Sequence, residues 1–297
     1  MAAFKSPLVA PGDSTETARD KLNAVHGHSV ADDVRVEWTE LGGVRCAWID
    51  TPESDVGARE RGERVLLLCH GGAYIAAGGD GYLFYAAVYS RACAARVLLV
   101  DYRLAPEHLC PAASGDCAAA YQGLLERGVS PDQVAFIGDS CGGGRVITSL
   151  LSLRAAGAPM PALAVTLGGW FDLAASGESA REPLGPDPFA TAEFVRARGR
   201  DYVGADGDLA DPAASALYAD LSGLPPLFLQ VGQVDLTRDD ALRLATCAGR
   251  DGVAVTLEIE PGMVHGYQGL AHAGIPEAVA SVERVAAFID ERMAPGA

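Results

Sequence analysis

From residue 60 onward the chain alternates short apolar runs with longer amphipathic stretches. Val65–Cys69, Arg96–Val100, Gln133–Gly138, Ala162–Leu167, Leu227–Val231 and Val253–Ile259 are short and mostly apolar, as strands buried on both faces of a parallel sheet are. Val34–Trp38 and Val44–Ile49 alternate more and flank a loop with Gly42-Gly43, which predicts an antiparallel hairpin at one sheet edge. Between the runs, Tyr82–Ala94, Ser114–Glu126, Gly142–Ala156, Asp239–Arg250 and Pro276–Arg292 carry apolar residues at helical spacing. Gly157 and Gly252 stand where helix stops are expected. Strands alternating with helices predict a doubly wound α/β sheet.

Two stretches fall outside this alternation. Residues 1–30 hold a helical pattern over Thr15–Val25, and residues 174–221 hold another over Thr191–Tyr202 amid Pro183, Pro186, Pro188 and Pro212. A long insertion between two sheet strands reads as a functional lid. The expected organisation is a core of residues 31–173 and 222–297, an N-terminal cap segment of residues 1–30 and a cap insertion of residues 174–221.

Composition narrows the function. The 297 residues are 49% hydrophobic and 21% charged, enough for a full core. With 23 basic and 39 acidic side chains the net charge is −16, which repels phosphate backbones and anionic lipid. Seven scattered cysteines form no CxxC pair, which argues against a disulfide framework or a zinc cluster and fits a reducing compartment. The first 20 residues lack the apolar stretch of a signal peptide, and no apolar run approaches the ~18 residues of a membrane span. The expectation is a soluble, cytoplasmic protein that binds neither nucleic acid nor membrane and holds no metal.

The chemistry concentrates where strands end. Gly138-Asp139-Ser140-Cys141-Gly142 reads G-x-S-x-G. Alone the pentapeptide is a weak signal, but it follows a strand and opens a helix, the setting of a nucleophile elbow. A serine nucleophile needs a base, and the base needs an orienting acid. His265 follows the last strand, at the same sheet edge as Ser140, whereas His26, His28, His108 and His272 lie in less suitable places. Asp235 follows the strand Leu227–Val231 and completes the order Ser140, Asp235, His265. Asp239 and Asp240 are rival acids, placed where carboxylates also suit a helix N-terminus. His70-Gly71-Gly72-Ala73 follows the strand Val65–Cys69, and its bare backbone suits an oxyanion hole. The expected donors are the amides of Gly71, Gly72 and Cys141. His70 reads as a structural hydrogen bonder and the Cys141 side chain as a small apolar filler. Tyr82, Trp170, Phe171, Phe189 and Phe194 are candidates to line an acyl pocket.

Taken together, His70-Gly71-Gly72-Ala73, Asp101-Tyr102-Arg103-Leu104-Ala105-Pro106-Glu107-His108, Gly138-Asp139-Ser140-Cys141-Gly142-Gly143 and Gly262-Met263-Val264-His265-Gly266 resemble the hormone-sensitive lipase-like (bacterial family IV) carboxylesterases of the α/β-hydrolase fold. The resemblance covers roughly residues 65–290, with the octapeptide its most specific part. Leu221-Ser222-Gly223-Leu224-Pro225-Pro226 looks like the subgroup described as ε-lactone hydrolases. The resemblance implies a capped esterase acting on small or medium acyl esters or lactones, without a cofactor. The chain departs from the pattern at Ala73, at Cys141, at Gly168-Gly169-Trp170 where Ser-Pro-Trp is usual, and at Gly78 and Tyr82 where Ser and His are usual. These positions lie near the pocket mouth, and none removes a catalytic group. Within the octapeptide, Arg103 and Glu107 read as a buried network bracing the elbow and the oxyanion loop.

The expected function is serine-dependent hydrolysis of a carboxylic ester through an acyl-enzyme. The expected partner is a small-molecule ester or lactone, and a homodimer is compatible with it. An acyltransferase, cyclase or dehydratase on the same site, and a non-catalytic ligand receptor on the same fold, are the alternatives.

Overall fold

The computed structural model describes residues 8–10, 12–185, 187 and 191–294. Eight strands form one sheet: β1 (Arg35–Leu41), β2 (Val44–Asp50), β3 (Val65–Cys69), β4 (Arg96–Val100), β5 (Val134–Asp139), β6 (Leu163–Leu167), β7 (Leu227–Gly232) and β8 (Val255–Glu260), in the order β1-β2-β4-β3-β5-β6-β7-β8. Only β2 runs against the rest, pairing antiparallel with both β1 and β4. The hairpin expected at the sheet edge is therefore present. β3, β5, β6 and β7 are buried along their whole length, which explains their continuous apolar runs.

The helices are α1 (Thr15–His26), α2 (Pro52–Arg61), α3 (Leu83–Cys93), α4 (Ala112–Glu126), α5 (Cys141–Ala155), α6 (Glu178–Arg181), α7 (Ala192–Val203), α8 (Arg238–Arg250) and α9 (Pro276–Arg292). α3 packs on α9 at one face of the sheet, and α4 packs on α5 at the other. Gly157 and Gly252 follow α5 and α8 with φ of 66° and 80°, left-handed stops as expected.

α2 has no counterpart in the hydrophobic pattern. Its sequence is largely polar, and Val56 is exposed. Its ends specify it instead. Thr51 and Ser54 form a reciprocal capping box, Pro52 opens the first turn, and Glu53 and Asp55 lie in that turn with Arg59 and Arg61 in the last, each sign at the end of the helix dipole that favours it. Such caps contribute about 1 kcal/mol each and need no apolar stripe.

The parallel strands all end at one edge. His70 follows β3, Ser140 follows β5, Gly168 follows β6, Asp235 lies three residues past β7 and His265 five past β8. In open α/β sheets this carboxyl edge is where ligands bind. Residues 174–221 contribute α6, α7 and a 3-10 turn at Ala216–Tyr218. Among the described residues, no helix is long and apolar enough to cross a membrane.

Candidate active site

Ser140 sits between β5 and α5 with φ 54° and ψ −130°, a backbone conformation strained for any residue with a Cβ. Its N–H donates to the Leu167 carbonyl at 2.8 Å, and its carbonyl accepts from Trp170 N–H at 3.1 Å. The turn requires glycine next door. A Cβ on Gly142 would stand 2.1 Å from the Cys69 carbonyl oxygen, so only a bare backbone lets α5 start against β3.

The structure brings Ser140, His265 and Asp235 together. Ser140 Oγ lies 2.9 Å from His265 Nε2, and His265 Nδ1 lies 3.0 and 3.1 Å from the two oxygens of Asp235. Thr237 donates its amide (2.8 Å) and its hydroxyl (2.9 Å) to Asp235 Oδ1, which fixes the carboxylate. Burial works against a charged His265 ring, but the charge and hydrogen bond of Asp235 outweigh it and push the imidazole up to about 9. Gly168, at φ 56°, lies against this pair. A Cβ there would be 3.0 Å from Asp235 Oδ2 and 3.2 Å from His265 Nδ1.

The rival acids do other work. Asp239 accepts the Ser179 amide at 2.8 Å and pairs with Arg238 at 3.1 Å. Asp240 accepts the amides of Phe171 and Asp172 at 3.1 and 3.0 Å. Burial, reinforced by the nearby Asp172 charge, pushes its carboxyl well above the usual range. His70 stacks on Tyr102 at 4.0 Å, and its Nδ1 is 2.7 Å from the Gly71 carbonyl. Burial lowers it to about 4, so it is neutral and structural.

A cavity of about 970 Å³, counting the space at its open mouth, has Ser140 and His265 in its wall. Gly72 and Ala73 line it, but Gly71 does not. Gly71 turns toward Asp139, whose carboxylate its amide helps to hold down. Of the expected loop donors, Gly72 therefore borders the cavity and Gly71 does not. The backbone rotates one residue further, into left-handed geometry at Ala73 (φ 53°). Cys141 opens α5, where a helix leaves its first amides without internal acceptors. Its side chain is more than a filler: Sγ accepts the Tyr74 amide at 3.2 Å and ties the oxyanion loop to the elbow. Burial pushes this thiol up to about 12, which leaves it unreactive.

Of the expected pocket aromatics, Tyr82, Trp170 and Phe194 line the cavity. Tyr82 also donates its hydroxyl to Asp139 at 2.8 Å. Burial raises the Asp139 carboxyl to about 6, against the opposing pull of that hydrogen bond. Phe171 is a correction. It is fully buried and lies against Gly169, where a Cβ would meet its ring at 2.2 Å, so it belongs to the core. Phe189, like Pro186 and Pro188, lies outside the described residues.

Sequence reasoning missed the far wall. Leu22, Val25 and His26 of α1, His28 just after it, and Phe84, Leu270 and His272 also line the cavity. His26 stacks on Tyr82 at 4.9 Å, and Phe84 meets His272 edge-on at 4.8 Å. These residues come from three separate segments, and no local pattern marks them. The octapeptide differs in detail too. Arg103 pairs with Asp116 at 2.7 Å, and Glu107 with Arg19 of α1 at 2.7 Å, with Arg103 and Glu107 half exposed and not buried. Each needs a partner outside the octapeptide, which leaves both at the surface. Among the described residues, no three His, Cys, Asp or Glu side chains are grouped to hold a metal.

The sheet, the elbow and the Ser-His-Asp geometry define the class: an α/β hydrolase. A family model for the alpha/beta hydrolase fold matches residues 66–269, and the chain belongs to that family. Its relatives include an acetyl-hydrolase of Streptomyces hygroscopicus, 39% identical over 237 residues, which are 78% of this chain and 77% of that protein. An esterase of Acinetobacter venetianus is 29% identical over 255 residues, 86% of this chain and 82% of its own. Among solved structures, an esterase from the bacterial hormone-sensitive lipase family matches with a TM-score of 0.89 at 37% identity, over 96% of this chain and 94% of the other. The resemblance to hormone-sensitive lipase-like esterases thus extends from the motifs to nearly the whole fold.

Proposed function

We propose that this chain is a serine carboxylic-ester hydrolase. The observation that carries the reading is the unbroken relay at the carboxyl edge, with Ser140 Oγ 2.9 Å from His265 Nε2 and His265 Nδ1 3.0 Å from Asp235, opening on a cavity. His265 takes the Ser140 proton as Oγ attacks the ester carbonyl, and the anion of Asp235 stabilises the imidazolium. The amides of Gly72, Ala73 and Cys141 receive the negative oxygen. The tetrahedral adduct collapses to an acyl-enzyme as His265 gives its proton to the leaving alkoxide. Water, deprotonated by His265, then attacks the acyl carbon, and a second collapse returns the proton to Ser140 and releases the acid. No cofactor is required by these steps.

In this reading α1 with its flanks and the insertion at residues 174–221 act as a cap, because Leu22, His26 and Phe194 share the cavity wall with Ser140. The substrates are small or medium acyl esters or lactones, since the wall is largely aromatic and aliphatic and the net charge of −16 disfavours anionic lipid. A cytoplasmic setting suits the seven free cysteines. Sedimentation tests whether the chain works as a homodimer.

The central experiment pairs p-nitrophenyl esters from acetate to laurate and a few lactones with the variant Ser140→Ala. Loss of the nucleophile lowers kcat by at least ~10³-fold with the fold intact. A fluorophosphonate modifies Ser140 once per chain. Labelling elsewhere, or an alanine variant of near-full activity, refutes the proposal. Product analysis with an added alcohol separates hydrolysis from acyl transfer.

A further inference from the structure

The loop from His70 to Ala77 holds three non-glycine residues in the left-handed region: Ala73 at φ 53°, Tyr74 at 69° and Ala77 at 68°. A Cβ makes this conformation costly, and it persists only where the surroundings over-determine it. The clamps on Tyr74 come from the core and the cap. Its amide donates to Cys141 Sγ, its carbonyl accepts the Ala105 amide at 3.0 Å, and its ring stacks on Tyr202 of α7 at 4.5 Å.

The other clamps come from α1, more than fifty residues away in sequence. The amide of Ala77, a residue only 3% exposed, donates to Asn23 Oδ1 at 2.9 Å. The Ile75 carbonyl accepts from Arg19 Nε at 2.6 Å. Arg19 is itself held by both oxygens of Glu107, at 2.8 and 2.7 Å, and by the Ala105 carbonyl at 2.8 Å. Asn23 is not among the residues lining the cavity, although its neighbour Leu22 is.

We propose that α1 sets the oxyanion loop, with Asn23 as a positioning residue that holds Ala77 in its left-handed conformation and thereby aims the amides of Gly72 and Ala73. This rests on the proposed role of those amides. α1 is then more than a roof over the substrate: the hole is competent only while α1 is docked. Because Asn23 itself lies outside the cavity wall and acts on the amides that meet the forming oxyanion, its effect falls on kcat and spares KM.

The test compares Asn23→Ala, Asn23→Asp and the double variant Asn23→Ala/Ala77→Gly, with p-nitrophenyl butyrate turnover and fluorophosphonate labelling of Ser140 as readouts. Asn23→Ala lowers kcat and the labelling rate roughly 5- to 10-fold, the scale of one lost hydrogen bond acting on oxyanion donors, with KM within about twofold. Asn23→Asp keeps the acceptor and stays near wild type. Ala77→Gly restores at least about half of the loss, because glycine adopts a positive φ without penalty. A helix that merely tethers the cap would give no such rescue. Full kcat in Asn23→Ala, a loss carried by KM, or a loss that Ala77→Gly leaves unchanged overturns the inference. A wild-type chain that is not labelled at Ser140 overturns the hydrolase reading and this inference with it. A labelled wild type with an equally fast Asn23→Ala overturns the clamp alone.

Discussion

Asp235 and Asp240 are both buried, yet they stand in different surroundings. Asp235 faces the His265 ring and takes two hydrogen bonds from Thr237, which hold it against the imidazole. Asp240 receives the backbone amides of the Phe171–Asp172 turn, and burial beside the Asp172 carboxylate pushes its carboxyl well above the usual range. Asp235→Asn is expected to lower kcat by about 10³-fold or more, because it removes the group that sets the imidazole tautomer. Asp239→Asn and Asp240→Asn should stay within severalfold of wild type; if either proves the most damaging, the relay is wrongly drawn. The pH profile provides a second check. An isolated histidine titrates near 6.5, but Asp235 lifts His265 to about 9 against the effect of burial. The base must be neutral, so kcat/KM should climb with pH along one limb displaced upward from 6.5. Asp235→Asn removes the anion that favours the imidazolium, so whatever activity remains should climb at lower pH. Buffer titration of both enzymes decides the sign.

The nucleophile elbow depends at the level of elements on how closely α5 approaches β3. Gly142→Ala would press a methyl to 2.1 Å from the Cys69 carbonyl oxygen. Backbone must move to relieve that contact, so this variant should lose both thermal stability and turnover, whereas Gly249→Ala, with nothing within 4 Å of the new Cβ, should lose neither. Thermal melts of the two distinguish a packing requirement from a general preference for glycine. α2 and α5 also show what a sequence pattern conveys about elements. α5 follows a strand and a G-x-S-x-G turn, so its start is readable to within a residue. α2 has a polar surface and becomes visible only through its Thr51–Ser54 cap. Burial period and capping are independent signals, and a reading built on the first passes over helices specified by the second.

For the whole molecule, the cavity should set substrate size. Its wall includes Leu22, Val25, Tyr82, Phe84, Trp170 and Phe194, so each added methylene of the acyl chain should lower KM at about 0.8 kcal/mol per group buried. Once the enclosed space is filled, kcat/KM should fall, and long-chain triglyceride should be a poor substrate. A profile that keeps improving through laurate would show that the wall opens. Removing residues 1–30 takes away Leu22, Val25 and His26 together with the Asn23 and Arg19 contacts, so the truncated chain should lose both turnover and chain-length preference. An unchanged preference would mean that the N-terminal segment is no part of the pocket.

The order of the strands and of the helices between them, α2 and α6 apart, the reversed edge hairpin, and the positions of Ser140, Asp235 and His265 were legible in the sequence. Each leaves a local mark: an apolar run of strand length, a glycine-flanked turn, a polar residue just past a strand end. Parallel strands share one carboxyl edge, so the topology alone carries those three residues to the same place. Which residues of the loop after β3 border the cavity was not legible. Gly72 and Ala73 line the cavity and Gly71 does not, and the course of that loop depends on Asp139, Cys141 and α1, none of them adjacent in the chain. The same holds for Phe171, aromatic like Trp170 beside it but turned into the core. The cavity wall is assembled from α1, the turn into α3 and the loop after His265, and its contacts exist only once these segments pack together. Backbone periodicity is local and survives in the sequence. Side-chain direction and long-range contact are products of packing, and only the folded chain decides them.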